Sequence, residues 1–226
     1  FAAVLTGVTT LNTSISLSNS GSLIFLSPDG FSAGSSLSLT NVSSLVLSTA
    51  QSLQLNESKI FLVESSDAQQ LSTYDDDFIL NPLTISSKLG DKSNANITLA
   101  GGLSPSESVN LFVDQSLYLD TLGDIIINNT SITSDPFLAG STDSFAYFSS
   151  GSTITVDSLS NLLLNSYTSP SVFYYIDDNN PSPTSSKLQI SSSSFLPVQE
   201  SNNYNSFLNP SFKTLSSKPP SDDVPE

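Results

Sequence analysis

Residues 36–63 read SLSLTNVSSLVLSTAQSLQLNESKIFLV. Leu37, Leu45, Leu53 and Phe61 recur every eight residues, and Leu39, Leu47, Leu55 and Val63 keep the same beat two positions later. Ser or another polar residue alternates with the apolar ones. That alternation turns one side of a short strand toward a core and the other away from it. The beat returns at Val109/Leu111, Leu117/Leu119 and Ile125/Ile127, and again at Ile154/Val156 and Leu162/Leu164. The corners TNVS, STAQ and NESK hold neither Gly nor Pro. Tight antiparallel hairpins favour Asn-Gly, Asp-Gly or Gly-X. Corners between the faces of a parallel coil need no reversal, and Asn there adopts the left-handed backbone. The pattern predicts an all-β fold, a parallel β-helix or β-solenoid. An antiparallel β-sandwich or jelly roll is the alternative.

Working outward, residues 1–11 (FAAVLTGVTTL) are apolar and read as an N-terminal cap or a donated strand. Residues 12–195 carry the solenoid pattern. Residues 64–81 break the beat and read as a loop or lateral insertion, and a second irregular stretch covers 134–143. Residues 196–226 concentrate Pro, Ser, Asn and Asp and read as an extended tail or linker. Three eight-residue faces make a coil of about 24 residues. At about 4.8 Å per coil, residues 12–195 then give about seven or eight coils and a rod of about 35–40 Å. Such repeats bury their faces only by stacking, and the open sheet edges at the two ends need caps or partners.

The 226 residues carry a net charge of −15, and all six basic residues are Lys. Without Arg, and with scattered Lys, the chain lacks the basic patch that nucleic acid requires. An anionic membrane surface is disfavoured for the same reason, and no apolar run is long enough to span a bilayer. Cations, neutral glycans and other proteins remain as partners. The chain has no His and no Cys. This excludes Ser–His and Cys–His nucleophiles, imidazole and thiolate metal sites, and disulfides. No catalytic residue and no cofactor site is assigned.

Two acidic clusters remain, Asp75, Asp76 and Asp77, and Asp177 with Asp178. An acidic loop is first a solvated turn. The oxygen-rich run Asp177, Asp178, Asn179, Asn180 also suits calcium. Asp75, Asp77, Asp177 and Asp178 are the candidate calcium ligands. Six N-x-Ser/Thr sequons stand at Asn12, Asn41, Asn56, Asn96, Asn128 and Asn129, the candidate glycosylation sites. With 18 Asn and 68 Ser or Thr in 226 residues, about five sequons arise by chance, so the number is not an enrichment. Phe173, Tyr174 and Tyr175 share one strand, where core packing outweighs a sugar-stacking platform.

Residues 25–50, FLSPDGFSAGSSLSLTNVSSLVLSTA, resemble the secretion-domain region of filamentous-haemagglutinin-type adhesins. That family carries an Asn-Pro-Asn-Gly turn, short strands and then an Ala-Ser-Thr-like stretch. Here the turn is Ser27-Pro28-Asp29-Gly30, and the later stretch is Leu47-Ser48-Thr49-Ala50. The segment SLYLDTLGDIIINNTSI (116–132) is similar to the family's repeat strands. The resemblance implies a right-handed parallel β-helix, secretion to the cell surface and an adhesive or fibre-forming role. The opening FAAVLTGVTT is faintly similar to the start of β-helical ice-binding proteins.

These readings converge on an extracellular, cell-surface structural or adhesive protein rather than an enzyme. The chain reads as a Ser-rich rod segment, or as the repeating subunit of a filament, with the sequon asparagines as candidate sites of a glycoprotein. It associates with copies of itself through its ends and terminal segments. The alternative is a polysaccharide-binding or polysaccharide-acting β-helix protein that uses its Asp clusters.

Overall fold

The computed structural model describes residues 2–55, 59–62, 87–89, 92–134, 145–164, 171–176, 188–195 and 199–200. Among them there is no α-helix. A first sheet runs, in spatial order, β1 (Ala2–Val4), β3 (Ser14–Leu26), β5 (Ser38–Ser48), β11 (Ser116–Thr121), β14 (Phe145–Ser150), β17 (Ser171–Ile176) and β19 (Gln199–Glu200). A second runs β2 (Thr9–Leu11), β4 (Phe31–Ala33), β9 (Ile97–Ala100), β12 (Ile125–Asn128), β15 (Ile154–Val156) and β18 (Leu188–Ile190). A third holds β10 (Val109–Val113), β13 (Thr130–Ser134) and β16 (Asn161–Leu164). All pairings within these three sheets are parallel.

Parallel neighbours require the chain to leave and come back. Here the way back is through the other two sheets. From β11 the chain passes to β12, then β13, then returns to the first sheet as β14. The next passage is β15, β16, β17. β3 and β5 are long because each turns a corner within itself. Their first halves pair at Ser14↔Ser38 and Ser16↔Thr40, and their second halves pair at Ile24↔Val46 within the first sheet. β10 lies beside β5, with Asp114 N donating to Val42 O at 2.8 Å and Gln115 N to Ser43 O at 2.7 Å. Asn41 (φ 58) and Asn129 (φ 43) occupy such corners in the left-handed region, the role the pattern predicts for Asn.

One expectation fails. SLQL (52–55) and the described part of IFLV (60–62) continue the eight-residue beat, but they do not join the parallel sheets. They form β6 (Ser52–Leu55) and β7 (Lys59–Leu62), paired antiparallel at Leu53↔Phe61, with β8 (Ser87–Leu89) antiparallel on the other side of β6. The place beside β5 in the first sheet belongs to β11 instead. Three residues separate β6 from β7, so closing this hairpin costs little chain entropy. The spacing from Leu53 to Phe61 is therefore the span of a hairpin rather than a repeat. The described parts of residues 49–96 form an excursion between β5 and β9, and 64–81 lie outside the described residues. A step along the first sheet advances the chain by 22 residues from Ile24 to Val46, by 72 from Val46 to Tyr118, and by 29 from Tyr118 to Tyr147. The uniform 24-residue coil is corrected accordingly. Before Phe195 the described strands enter the first sheet six times, five of them within residues 12–195, fewer than the seven or eight expected there, because the excursion takes up chain. Residues 2–11 supply β1 and β2, edge strands of two sheets.

The core is a set of in-register columns. Leu23, Leu45, Leu117, Ala146 and Val172 form one, and Phe25, Leu47, Leu119, Phe148 and Tyr174 the next. Ile97, Ile125 and Ile154 line the second sheet, and Leu111, Ile132 and Leu162 the third. Each fully buried side chain contributes about 1.5–3 kcal/mol. The Phe148 and Tyr174 rings stack with centroids 5.4 Å apart. The outward sides of the sheets differ. On the first sheet the outward residues Ile24, Val46, Tyr118 and Tyr147 are buried as well. On the second, Thr10, Ser32, Thr98, Ile126, Thr155 and Gln189 are exposed or half-buried.

Candidate functional site

Strands of the first sheet end on polar residues at the corner leading to the second sheet. Ser27 follows β3, Ser48 ends β5 and Thr49 follows it, Asp120 and Thr121 end β11, and Ser149 and Ser150 end β14. All are buried. They stack because the register stacks them, with Leu26↔Ser48, Ser48↔Asp120, Asp120↔Ser149 and Thr121↔Ser150. Buried polar groups need partners, and this column supplies most of its own. Ser48 Oγ donates to Asp120 Oδ2 at 3.1 Å. Thr49 Oγ1 lies 3.0 Å from Thr121 Oγ1 and 3.1 Å from Ser93 O. Ser150 Oγ donates to Gly123 O at 2.7 Å, and Ser93 Oγ donates to Pro28 O.

The column also holds an ion pair. Lys92 Nζ donates to Asp120 Oδ1 at 2.8 Å, and the two side chains are only 14% and 3% exposed. Lys92 stands where the excursion returns, forming an antiparallel bridge with Ala50. Ser93 N then donates to Thr49 O at 3.2 Å. The pair ties the base of the excursion to β11. Sequence reading dismissed the lysines as scattered, because 28 residues separate Lys92 from Asp120. The available signal was Asp120 itself, a charge directly following the apolar alternation of SLYL.

Other carboxylates brace one passage to the next. Asp29 Oδ2 accepts from Gly7 N at 2.8 Å, and Asp124 Oδ1 accepts from Thr153 N at 3.2 Å. Both oxygens of Asp157 lie within 3.1 Å of Asn129 N, and Oδ1 also accepts from Ser160 N at 2.9 Å. The corner asparagines do the same work with amides. Asn129 is buried, and its Nδ2 donates to Gly102 O at 2.8 Å and Ser104 O at 2.6 Å. Asn41 Nδ2 donates to Leu17 O at 2.8 Å. Asn12 Oδ1 accepts from Ser36 N, and Asn96 Oδ1 from Asp124 N. Of the sequon positions, Asn12, Asn41 and Asn96 are exposed, Asn128 is half-buried and Asn129 is enclosed. Asn56 lies outside the described residues.

Asp75, Asp77, Asp177 and Asp178 also lie outside the described residues. Among the described residues no three His, Cys, Asp or Glu side chains come together as a metal site. The Tyr174 side chain turns inward, its hydroxyl donating to Phe195 O at 3.0 Å. Burial pushes its phenol above the ordinary Tyr range. Burial does the same to Tyr118, with a hydrogen bond to Ser116 acting the other way. Among the described residues no helix is long and apolar enough to cross a membrane.

The arrangement anchors and braces. The Lys92 amine is paired with the Asp120 carboxylate, and Asp29, Asp124 and Asp157 accept from backbone N–H groups. No family model, curated protein or solved structure matches the chain.

Proposed function

We propose that the chain winds as a parallel β-helix and serves as an extracellular structural or adhesive element, a rod segment or repeating subunit of a cell-surface filament. The observation that carries this reading is the order of visits from β9 to β17: second sheet, third sheet, first sheet, repeated with parallel register. Six passages at about 4.8 Å each make a stack of about 29 Å. Such a stack offers long, regular outer surfaces, while Asp29, Asp124, Asp157, Asn41 and Asn129 hold adjacent passages together. At each end of the stack the core opens, with Ala3, Leu5, Ile15 and Leu17 only partly buried at one end and Leu188 and Ile190 at the other. These ends suit association with further chain or further copies.

Two pieces of sequence carry the resemblance to filamentous-haemagglutinin-type adhesins. They are Ser27–Gly30 and Leu47–Ala50, and they meet at one corner. Ser27 N donates to Ser48 O at 2.9 Å, and Gly30 (φ 95) closes its turn by donating from N to Ser27 O at 2.9 Å.

Electron microscopy of the protein as isolated from its native source tests the proposal. Rods or filaments with an axial repeat support it. Compact particles that bear no relation to strand stacking, or turnover of a polysaccharide by the purified chain, oppose it.

A further inference from the structure

The outward side of the third sheet is open, where that of the first is covered, and it carries two large apolar side chains, Phe112 and Leu163. Asn110, Ser131 and Asn161 stand in one in-register row, and Phe112, Thr133 and Leu163 in the next. Their neighbours Val109, Leu111, Val113, Ile132, Leu162 and Leu164 fill the core, so these six face out. Asn110, Asn161 and Leu163 are exposed, and Ser131, Thr133 and Phe112 are half-buried. None of the three strands carries a charge, on a chain of net charge −15.

Large apolar side chains stand exposed on the third sheet and on the corners that lead into it. Leu103 is fully exposed, Leu159 is 49% exposed and Leu163 51%. Leu103 and Leu159 lie on the corners that lead from the second sheet into the third. Both corners are fixed: Asn129 Nδ2 holds the carbonyls on either side of Leu103, and Asp157 with Ser160 closes the turn that presents Leu159. Apolar groups held outward by built corners mark a contact surface.

The size of the face decides what it contacts. Three strands at about 4.8 Å give a width of about 14 Å, and five residues at about 3.3 Å give a length of about 16 Å, hence about 230 Å²; the first halves of β5 and β3, which continue beyond β10, bring it to about 400 Å². A standard protein–protein interface takes about 800 Å² from each partner. The face is too small for that and suits a few sugar rings. A pyranose has an apolar C–H side that packs on Phe112 and Leu163, and hydroxyls that meet the amides of Asn110 and Asn161 and the hydroxyls of Ser131 and Thr133. The absence of charge selects a neutral chain over an acidic one.

We propose that the outward side of β10, β13 and β16, flanked by Leu103 and Leu159, binds a neutral polysaccharide laid along the stack. This rests on the adhesive reading above and gives it a ligand class and a face.

The test is binding of the 226-residue chain to laminarin, mannan, dextran and cello-oligosaccharides, with polygalacturonate as the acidic control. At least one neutral glycan binds in the millimolar range or tighter, and polygalacturonate does not. Leu163→Asp weakens binding at least tenfold with the circular dichroism unchanged, and so does Phe112→Ala. Thr155→Ala, on the second sheet, leaves binding as it was. No retention of any neutral glycan, binding that survives both substitutions, or self-association lost in Leu163→Asp would each overturn the proposal. Microscopy of the same samples separates the two ideas: intact rods without glycan binding sink only this inference, and absent rods sink the rod.

Discussion

Replacing Lys92 with Met puts the link between the excursion and the stack to the test. Asp120 is 3% exposed and would keep Ser48 Oγ as a donor after the amine is gone. Removing one member of a buried ion pair costs about 3–5 kcal/mol, and the 14% exposure of Lys92 places this case near 3. Urea slopes for small proteins are about 1–3 kcal/mol/M and grow with size. For a chain of 226 residues the midpoint therefore falls by about 1 M. Asp120→Leu costs less, about 1–2 kcal/mol, because a long Lys stem lets its head reach water and Ser48 loses only one acceptor. The double variant, with Met and Leu side by side, recovers to within about 1 kcal/mol of the parent. The assay is urea unfolding of the four proteins, followed by far-ultraviolet circular dichroism. A Lys92→Met midpoint within about 0.2 M of the parent, or a double variant that falls by the sum of the singles, would refute the reasoning.

Further outcomes follow from the same geometry. Asn129→Ala loses two amide donors and places a Cβ residue without a polar side chain at φ 43, so it costs about 2–5 kcal/mol; Asn129→Gly removes the strain and costs about 1–3, and equal losses in thermal unfolding would contradict the left-handed corner. Leu119→Ala opens a cavity in a fully buried column and costs about 2–5 kcal/mol, whereas Thr155→Ala on the outward side of the second sheet stays within about 0.5. The phenols of Tyr118 and Tyr174 have raised pKa values in the folded chain, so the unfolded chain releases these protons first. Their contribution is therefore intact below the ordinary Tyr value of 10.0 and is lost as pH rises above it. Alkaline unfolding should move to higher pH in Tyr118→Phe and Tyr174→Phe, and an unchanged midpoint in both would count against their burial.

Much of the core was legible because a strand with one buried side writes its period into the sequence. Val109/Leu111, Leu117/Leu119 and Ile125/Ile127 fall on the third, first and second sheets in turn, and all six are buried. The limit shows at SLQL and IFLV. Their alternation matches SLVL, and alternation alone does not distinguish a parallel rung from an antiparallel hairpin. Which strand lies beside β5 was decided by β11, 72 residues away, and local pattern carries no information at that range. The candidate site was less legible. Asn at corners was predicted, and Asn41 and Asn129 take that role. The Lys92–Asp120 pair and the Ser48/Thr49/Thr121 column exist only once the register has stacked them, and nothing nearby in sequence announces them. The outward burial of Tyr118 and Tyr147 was unreadable for a related reason: alternation assigns a residue to the outside of a sheet without telling whether that outside is covered.

The most direct test of the winding is a distance series between spin labels on the outward row of the second sheet. The chain has no Cys, so each introduced pair is unique. With one label at Thr10 and the other at Ile126, Thr155 or Gln189, the positions are three, four and five strands apart. The account predicts backbone separations of about 14, 19 and 24 Å, rising by one strand spacing at each step. Separations that fail to rise in that order would contradict the stacked parallel rungs on which the proposed rod depends.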